Sequence, residues 1–571
     1  VTSFSLWAPT PSRVRLRAGG RDTDMQGSPD GWWRAELPDA GPGTDYGFVL
    51  DDDAQPLPDP RAAWLPDGVH SLSRVYDQSA YEWGDQAWTG RRLAGSVVYE
   101  LHVGTFTPDG TFDAAIERLD HLVELGVDLV ELLPVNGFNG EYNWGYDGVA
   151  WYAVHEPYGG PDGLKRFVDA CHGRGLGVVL DVVYNHLGPS GNYLPRFGPY
   201  LKAGSNTWGD LVNLDGPQSN EVRRYILDNM LGWLRDFHVD ALRLDAVHAL
   251  ADTRAAHLLE EAAREVDVLS THLNRPLSLI AESDLNDPRL MAPFEAGGYG
   301  LTAAWDDDVH HALHALITGE RTGYYGDFGA FSTLATVLTG AYFHAGTYST
   351  FRRRVHGRTV DRHNTPGHRF VVSLQNHDQI GNRATGDRLS ATLSPGLLTI
   401  GAALMLTSPF TPMLFMGEEW GASTPWQFFT SHPEPELAQA VEKGRKAEFA
   451  EHGWGDDVPN PQDPETFQRS KLSWAELSEP PHKGLLDTYR ELIRLRREVS
   501  DLTDPRLDKV SVEYDEEARW VVVYRGDHHA VAANLSSEPR SVPIHRDVTA
   551  TLFGPEWTGT LPPESVAILK L

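Results

Sequence analysis

Apolar and polar positions alternate in short runs at the start of the chain. FSLWAP, VRLRAG, WWRAEL and YGFVLD carry β-formers, and GSPDG, PDAGPG and DDDAQPLPDP punctuate them. A period of two broken by turn clusters predicts a small antiparallel β-sandwich over residues 1–92, of the immunoglobulin-like or carbohydrate-binding-module-like kind. From about Gly95 the texture changes to continuous apolar runs alternating with amphipathic helices. VVYELHVGTF leads to FDAAIERLDHLVELGV, VDLVELLPV to GLKRFVDACHGRGLG, and VVLDVVYNH to NEVRRYILDNMLGWLRDFHV. DALRLDAVH, LSLIAESD, LTAAW, RFVVSLQNHD and FTPMLFMGEEWG continue the series. Eight strand–helix units over residues 93–503 predict an α/β fold, a (β/α)₈ barrel with helices on its outer face. A short insertion is expected near 187–219 and a helical one near 320–368. A doubly wound open sheet is the structural alternative. VSVEYD, WVVVYRG, HAVAANLS and VAILKL then predict a terminal β-sandwich over 504–571.

Composition narrows the partners. With 49 Lys and Arg against 80 Asp and Glu, the net charge is −31. Such a field repels nucleic acid and anionic membranes, so a neutral or cationic substrate is expected. Cys171, the only cysteine, excludes an internal disulfide framework and any CxxC zinc site, and fits a reducing compartment. The start VTSFSLWAPTPSR has no secretory pattern, and no long apolar run follows, so a cytoplasmic location is expected. A monomer is the favoured state. The 17 Trp and 20 Tyr suit sugar faces and cores alike.

In a (β/α)₈ barrel, chemistry sits where strands end and loops begin. Polar residues collect there: Asp181, Asn185 and His186 after the third strand, Arg243, Asp245 and His248 on the fourth, Glu282 after the fifth, and Asn376, His377 and Asp378 after the seventh. Arg243 and Asp245 stand two apart, so on an extended strand both point into the barrel mouth. Taken singly, an Asp after a strand is an ordinary turn or cap residue, and an Arg–Asp pair is an ordinary ion pair. Together, these carboxylates, the Arg and the His residues at one end of four strands are costly to desolvate without a task.

Two carboxyl groups across a cleft can cleave a glycosidic bond. Arg243 beside Asp245 favours an ionised nucleophile, and Glu282, ending the apolar run LSLIAE, is placed for a raised pKa and an acid–base role. A retaining reaction would need them only about 5–5.5 Å apart. Asp378 supplies a third negative charge, and His186 and His377 can donate to ring hydroxyls. There is no GxSxG, no GxGxxG after a strand and no GxxxxGK[ST]. A His/carboxylate metal site on His186, Asp245, Glu282, His377 and Asp378 is the competing chemistry. His310 and His314 stand at helical spacing but lack the Glu of HExxH, and are expected on a solvated helix face.

At these residues the sequence resembles the α-amylase family of glycoside hydrolases, whose four signature regions have counterparts in DVVYNH, DALRLDAVH, IAES and QNHD. The resemblance implies Asp245 as nucleophile, Glu282 as acid–base and Asp378 as stabilising carboxylate. It places Arg243, His186 and His377 around the cleaved residue, and Tyr146 of NWGYD as the ring on which that sugar stacks. Asp181 looks like a strand-end aspartate of mainly structural use. The segment between His186 and Asn220 is shorter than the calcium-bearing domain of many members, so no metal or cofactor is implied, although Asn185 matches one ligand position. VVYELHVGTFTPDGTF is similar to the group that contains branching enzymes and isoamylases. IAESDLNDPR, LTAAWDDDVHHALHALITGE and MGEEWGASTPWQFFTSH resemble the maltooligosyltrehalose trehalohydrolases within it.

That narrower resemblance implies hydrolysis of the α-1,4 bond next to the terminal trehalose of a maltooligosyltrehalose. A glucan branching enzyme, or another α-1,4-glucan-active member, is the alternative, and a non-catalytic glycan-binding barrel a third reading. The loops after the sixth and eighth strands are expected to line the trehalose side, with Trp305, Asp306 and Asp308 in one and Glu418, Glu419 and Trp420 in the other. Of these, Trp305 and Asp306 are the substrate-binding candidates.

Overall fold

The computed structural model describes residues 1–450 and 458–571. Eight parallel strands close into a barrel in sequential order: β1 (Val98–Leu101), β2 (Leu129–Leu132), β3 (Gly177–Val182), β4 (Ala241–Leu244), β5 (Ser278–Ala281), β6 (Ala303–Trp305), β7 (Phe370–Ser373) and β8 (Thr411–Phe415). Every residue of these strands is buried. That is why the sequence shows continuous apolar runs rather than alternation: the outer face lies under helices and the inner face fills the barrel. Val98, Leu129, Val179, Ala241, Ile280, Ala303, Val371 and Met413, one from each strand, pack together as an apolar layer inside it.

The helices α1 (Leu119–Leu125), α2 (Gly160–Gly173), α3 (Ser219–Asp236), α4 (Leu258–Leu273), α5 (Asp307–Thr318), α6 (Pro395–Leu406), α7 (Pro435–Ala450) and α8 (His482–Glu498) follow the strands. One of the eight expected units departs from the pattern. Between β5 and β6 the chain forms only two 3₁₀ turns, Pro288–Leu290 and Phe294–Ala296. Pro288, Pro293 and the Gly297–Gly298 pair interrupt any i→i−4 ladder in that stretch.

Two antiparallel sheets precede the barrel, one ordered Thr2–Trp7, Trp32–Leu37, Gln26–Gly27, the other Arg21–Asp24, Val14–Ala18, Asp45–Leu50, Ser73–Arg74. Phe4, Leu6, Val14, Leu16 and Phe48 are buried among them. After the barrel comes an antiparallel five-stranded sheet from Val510 to Lys570, with a small ribbon of Arg540–Ser541 on Thr560–Leu561. No helix among the described residues is long and apolar enough to cross a membrane.

Two insertions reach the barrel mouth. After β3, a ribbon of Leu201–Ser205 with Asp210–Val212 carries Trp208 in its turn. After α5, the stretch expected to be helical holds one helix, Phe331–Gly340, and also a hairpin of Thr347–Ser349 with Arg354–His356. Its turn places Phe351 and Arg352 at the mouth. The hairpin fits TYS and RVH, where aromatic and β-branched residues favour strand.

Candidate active site

Two residues beyond the apolar layer, the inward-facing positions change character. On β1 to β5 they are Glu100, Glu131, Asp181, Arg243 and Glu282, and on β6 to β8 they are Trp305, Ser373 and Phe415. The pleat puts each on the same face as the apolar residue two before it. A polar ring thus sits on an apolar floor, at the C-terminal end where barrel loops begin.

Above this ring opens a cavity of about 730 Å³, lined among others by Tyr146, His186, Asp245, Glu282, His377 and Asp378. Arg243 lies just beneath it, fully buried. Its Nη1 donates to Asp245 Oδ1 at 2.7 Å and to both oxygens of Asp181 at 3.0 Å. Its Nη2 lies 3.8 Å from Glu282 Oε2. The Trp305 ring covers the guanidinium carbon at 4.2 Å. One cation therefore neighbours three carboxyl groups while having no direct access to the cavity.

Asp245 accepts from Arg243 and, on its other oxygen, from Asn185 Nδ2 at 3.0 Å. This all-acceptor pattern suits a carboxylate. Asn185, similar in position to a family calcium ligand, spends its amide on Asp245 and on His186 Nδ1 at 2.6 Å. Glu282, like Asp245, lines the cavity. Burial is the main cause that pushes its pKa up to about 8; Arg243 opposes the rise, and Asp245, Asp378 and Asp307 add to it. Its Oε2 accepts the Ala246 N–H at 2.6 Å. Asp181 is likewise raised by burial, to about 7, with Arg243 pulling the other way.

The remaining groups form a platform. The Tyr146 ring stacks near the His377 ring, with centroids 5.2 Å apart and planes 18° from parallel. Tyr146 Oη donates to Asp181 Oδ2 at 2.6 Å, and His186 Nε2 holds the Tyr146 carbonyl at 2.8 Å. For His377, burial works against the charged form, but Asp378 and Glu100 outweigh it and raise the pKa to about 10.

Several expected contacts lie elsewhere. Trp305 is 4% exposed and packs on Arg243 rather than facing the cavity. Asp306 is the N-cap of α5, its side chain accepting from Asp308 N and Val309 N. Asp308 accepts from the Phe343 and His344 backbones. In the last loop, Glu418 bonds Tyr489, Glu419 bonds Tyr99 and His121, and Trp420 bonds Glu476. His310 and His314 are not on a solvated face: His310 bonds Leu374 O and Tyr325, and His314 bonds Glu320. Among the described residues no group of three His, Cys, Asp or Glu is arranged to hold a metal ion.

The cavity wall is instead completed by other residues, of which only His248 stood out in the sequence. Asp307, next to the expected Asp306, lines it with His311 one turn further on α5. Burial, then Asp378, raises Asp307 to about 7. Trp208, His248, Asp284, Phe351 and Arg352 line one part; Asn382, Phe428 and Arg445 line another. Arg445 stacks on Phe428 at 5.0 Å and donates to Gly381 O at 2.7 Å.

The chain is similar to known proteins over most of its length. The α-amylase catalytic-domain family model matches residues 75–208, and a domain of unknown function (DUF3459) matches residues 505–568. The malto-oligosyltrehalose trehalohydrolase of Mycobacterium tuberculosis is 58% identical, over 97% of this chain and 96% of that protein. The enzyme of that name from Rhizobium sp. is 56% identical, over 99% of this chain and 97% of its own. A crystal structure of a putative alpha amylase from Salmonella typhimurium superposes with a TM-score of 0.92 at 40% identity, covering 100% of this chain and 97% of that one.

Proposed function

The chain belongs to the malto-oligosyltrehalose trehalohydrolase family within the α-amylase group, and on that premise we propose that its barrel mouth carries out the cleavage with Asp245, Glu282 and Asp378. The protein is a glycoside hydrolase that cleaves the α-1,4 bond next to the terminal trehalose of a maltooligosyltrehalose, releasing trehalose and a maltooligosaccharide. The observation that carries the residue assignment is the contrast between two neighbours of Arg243. Asp245 accepts a short charge-assisted bond from it, while the pKa of the Glu282 carboxyl is pushed up to about 8.

The reaction then proceeds with retention. An Asp245 oxygen attacks the anomeric carbon as Glu282 delivers its proton to the departing glycosidic oxygen, and trehalose leaves. Glu282, now a carboxylate, takes a proton from water, whose oxygen attacks the same carbon and releases Asp245. Asp378 faces the ring as it gains positive charge, and the Tyr146–His377 platform holds the sugar. Burial by Arg243, Trp305 and the ring of carboxyl groups fixes these dipoles before substrate arrives.

Neutral oligosaccharides suit a chain of net charge −31, and the buried Cys171 suits a reducing, cytoplasmic setting. Incubation with maltooligosyltrehalose and plain maltooligosaccharide side by side, followed by chromatography, tests the function. Free trehalose is expected from the first. New α-1,6 branches without trehalose would favour the branching-enzyme reading.

A further inference from the structure

Among the carboxyl groups of the polar ring that the reaction above does not use are Glu100 on β1 and its neighbour Glu131 on β2. Glu131 has no hydrogen-bond partner on either oxygen, and burial, then Glu100 and Asp181, favour its neutral form. Glu100 is different. It is fully buried, its Oε1 accepts the His377 backbone N–H at 2.8 Å, and its Oε2 faces His377 Nδ1 at 2.8 Å.

The other ring nitrogen settles the proton count. His377 Nε2 lies 2.9 Å from Tyr146 Oη. Tyr146 has one hydroxyl proton, and Asp181 Oδ2 takes it at 2.6 Å. Above about pH 7, the value to which burial raises it, Asp181 is a carboxylate and also receives Arg243 Nη1 on both oxygens. Tyr146 can then only accept from His377, so Nε2 bears a hydrogen; Nδ1, facing a carboxylate that already accepts, bears the other.

We infer that Glu100 is a positioning residue for the reaction: it keeps His377 protonated on both nitrogens and so sets the direction of the hydrogen bonds that run from His377 through Tyr146 to Asp181. The inference rests on reading the barrel mouth as the cleavage site. Its consequence is mechanical as well as electrostatic. The chain ends on Arg243, which also holds Asp245, so Glu100 and Arg243 grip the platform and the nucleophile from opposite ends. With a neutral His377 protonated only on Nδ1, Nε2 would become an acceptor and compete with Asp181 for the tyrosine proton. The Tyr146 ring would lose its fixed tilt.

The groups facing His377 are Glu100, Glu131, Asp181, Arg243, Tyr146 and the neighbouring Asp378, with His102 beyond β1. Burial and Arg243 oppose the charge, so losing one of the two strongest carboxylate partners moves His377 toward neutrality in the working range. Glu100→Gln preserves shape and removes that charge. Its kcat/KM is expected to fall by roughly tenfold to a hundredfold at pH 8, with the gap to wild type closing as pH falls and His377 regains its second proton. In a His377→Asn background, Glu100→Gln should cost nothing further.

A loss equal at every pH, or one additive with His377→Asn, would overturn the role of Glu100. Should Glu100→Gln fail to fold, ¹⁵N-histidine spectra of the intact protein serve, with His377 assigned by its absence in His377→Asn. Both ring nitrogens are expected to be protonated at pH 8, and one bare nitrogen there overturns the inference. Full activity of His377→Asn would instead sink the cleavage-site reading itself, which keeps the two failures apart.

Discussion

Glu282 Oε2 accepts the backbone N–H of Ala246 at 2.6 Å, tying the proposed acid–base group to the residue that follows the proposed nucleophile. Ala246 has a φ of 41°, a left-handed conformation that costs an L-residue roughly 1–2 kcal/mol. The hydrogen bond helps to offset that cost, and the sharp turn lets the chain leave β4 while Asp245 stays at the cavity wall. Nucleophile and acid are thus positioned by one local structure, so displacing either carboxyl group disturbs the other's support.

Glu282 should set the alkaline limb of activity. It donates a proton in the first step, so kcat/KM is expected to fall as pH rises through about 8. Glu282→Gln should lower kcat on the natural substrate by roughly 10²–10⁴. Its first step on a substrate with a very good leaving group should be nearly spared. Equal loss on both substrates would contradict an acid role. Stability gives an independent check. A folded pKa above the ordinary 4.5 favours the neutral form, so this group's contribution is complete below pH 4.5 and fades up to about pH 8. Glu282→Gln should therefore melt higher than wild type at pH 9, with the difference vanishing near pH 5.

For Asp245 the expected outcome is loss of chemistry without loss of binding. Asp245→Asn keeps shape and at least one acceptor for Arg243 Nη1, but an amide cannot attack the anomeric carbon. A kcat loss of several orders of magnitude is expected, with substrate affinity within a few-fold of wild type by calorimetry. An Asp245→Asn variant that turns over at a tenth of the wild-type rate would remove Asp245 from the nucleophile's role.

A third prediction concerns the underside of the barrel. His172 on α2 is bonded by Asp85 at Nδ1 and by Asp240 at Nε2, each at 2.8 Å, with Trp88 stacked on its ring at 4.3 Å. Burial opposes its charge, but the two carboxylates raise its pKa above the ordinary 6.5. Asp85 and Trp88 belong to the segment that leads into β1, so this histidine fastens that segment to the barrel. Its ion-pair stabilisation is full below pH 6.5 and lost as pH rises through the raised pKa. His172→Gln should accordingly lower Tm most at pH 6 and progressively less above it. A Tm difference constant from pH 6 to pH 9 would mean that packing alone is at stake.

The barrel was legible because its strands are buried on both faces and its helices are amphipathic, two patterns that leave plain marks in a sequence. The residues proposed for cleavage stood out because Asp245, Glu282, His377 and Asp378 lie in short motifs at strand ends. Glu100 and Glu131 carry the same mark, a charge two places after an inward apolar residue, but each stands inside an apolar run and lacks polar neighbours. Trp305 and Asp306 misled for a physical reason. An acid at a helix start serves equally as a cap or as a ligand, and only the direction of the N–H groups of Asp308 and Val309 decides between them. Phe351 and Arg352 come from an insertion and Arg445 from α7, and the packing of each at the mouth is set by contacts distant in sequence that no local period reports.

Specificity is expected to reside on the hairpin rather than at Trp305 or Asp306. With Glu282 as the proposed acid, the leaving trehalose would depart on its side, away from the Tyr146–His377 platform. Phe351 and Arg352 line the cavity there, beside Asp284 three residues past β5. Arg352 Nη2 reaches Asp284 Oδ2 at 3.3 Å, and the Phe351 ring, in a residue 53% exposed, stands at the rim perpendicular to the Tyr324 ring. A ring to stack on and a guanidinium to meet hydroxyls are the two devices that recognise a bent disaccharide. Phe351→Ala and Arg352→Ala should each depress kcat/KM for maltooligosyltrehalose by roughly tenfold or more, since a site deprived of a hydrogen-bond or stacking partner loses about 1–3 kcal/mol. Plain maltooligosaccharides, which place a different disaccharide there, should be affected less. The measurement is the ratio of the two specificity constants in wild type and variants, and an unchanged ratio would move the discrimination to Asp307, Tyr324 or Trp208, which share the same cavity.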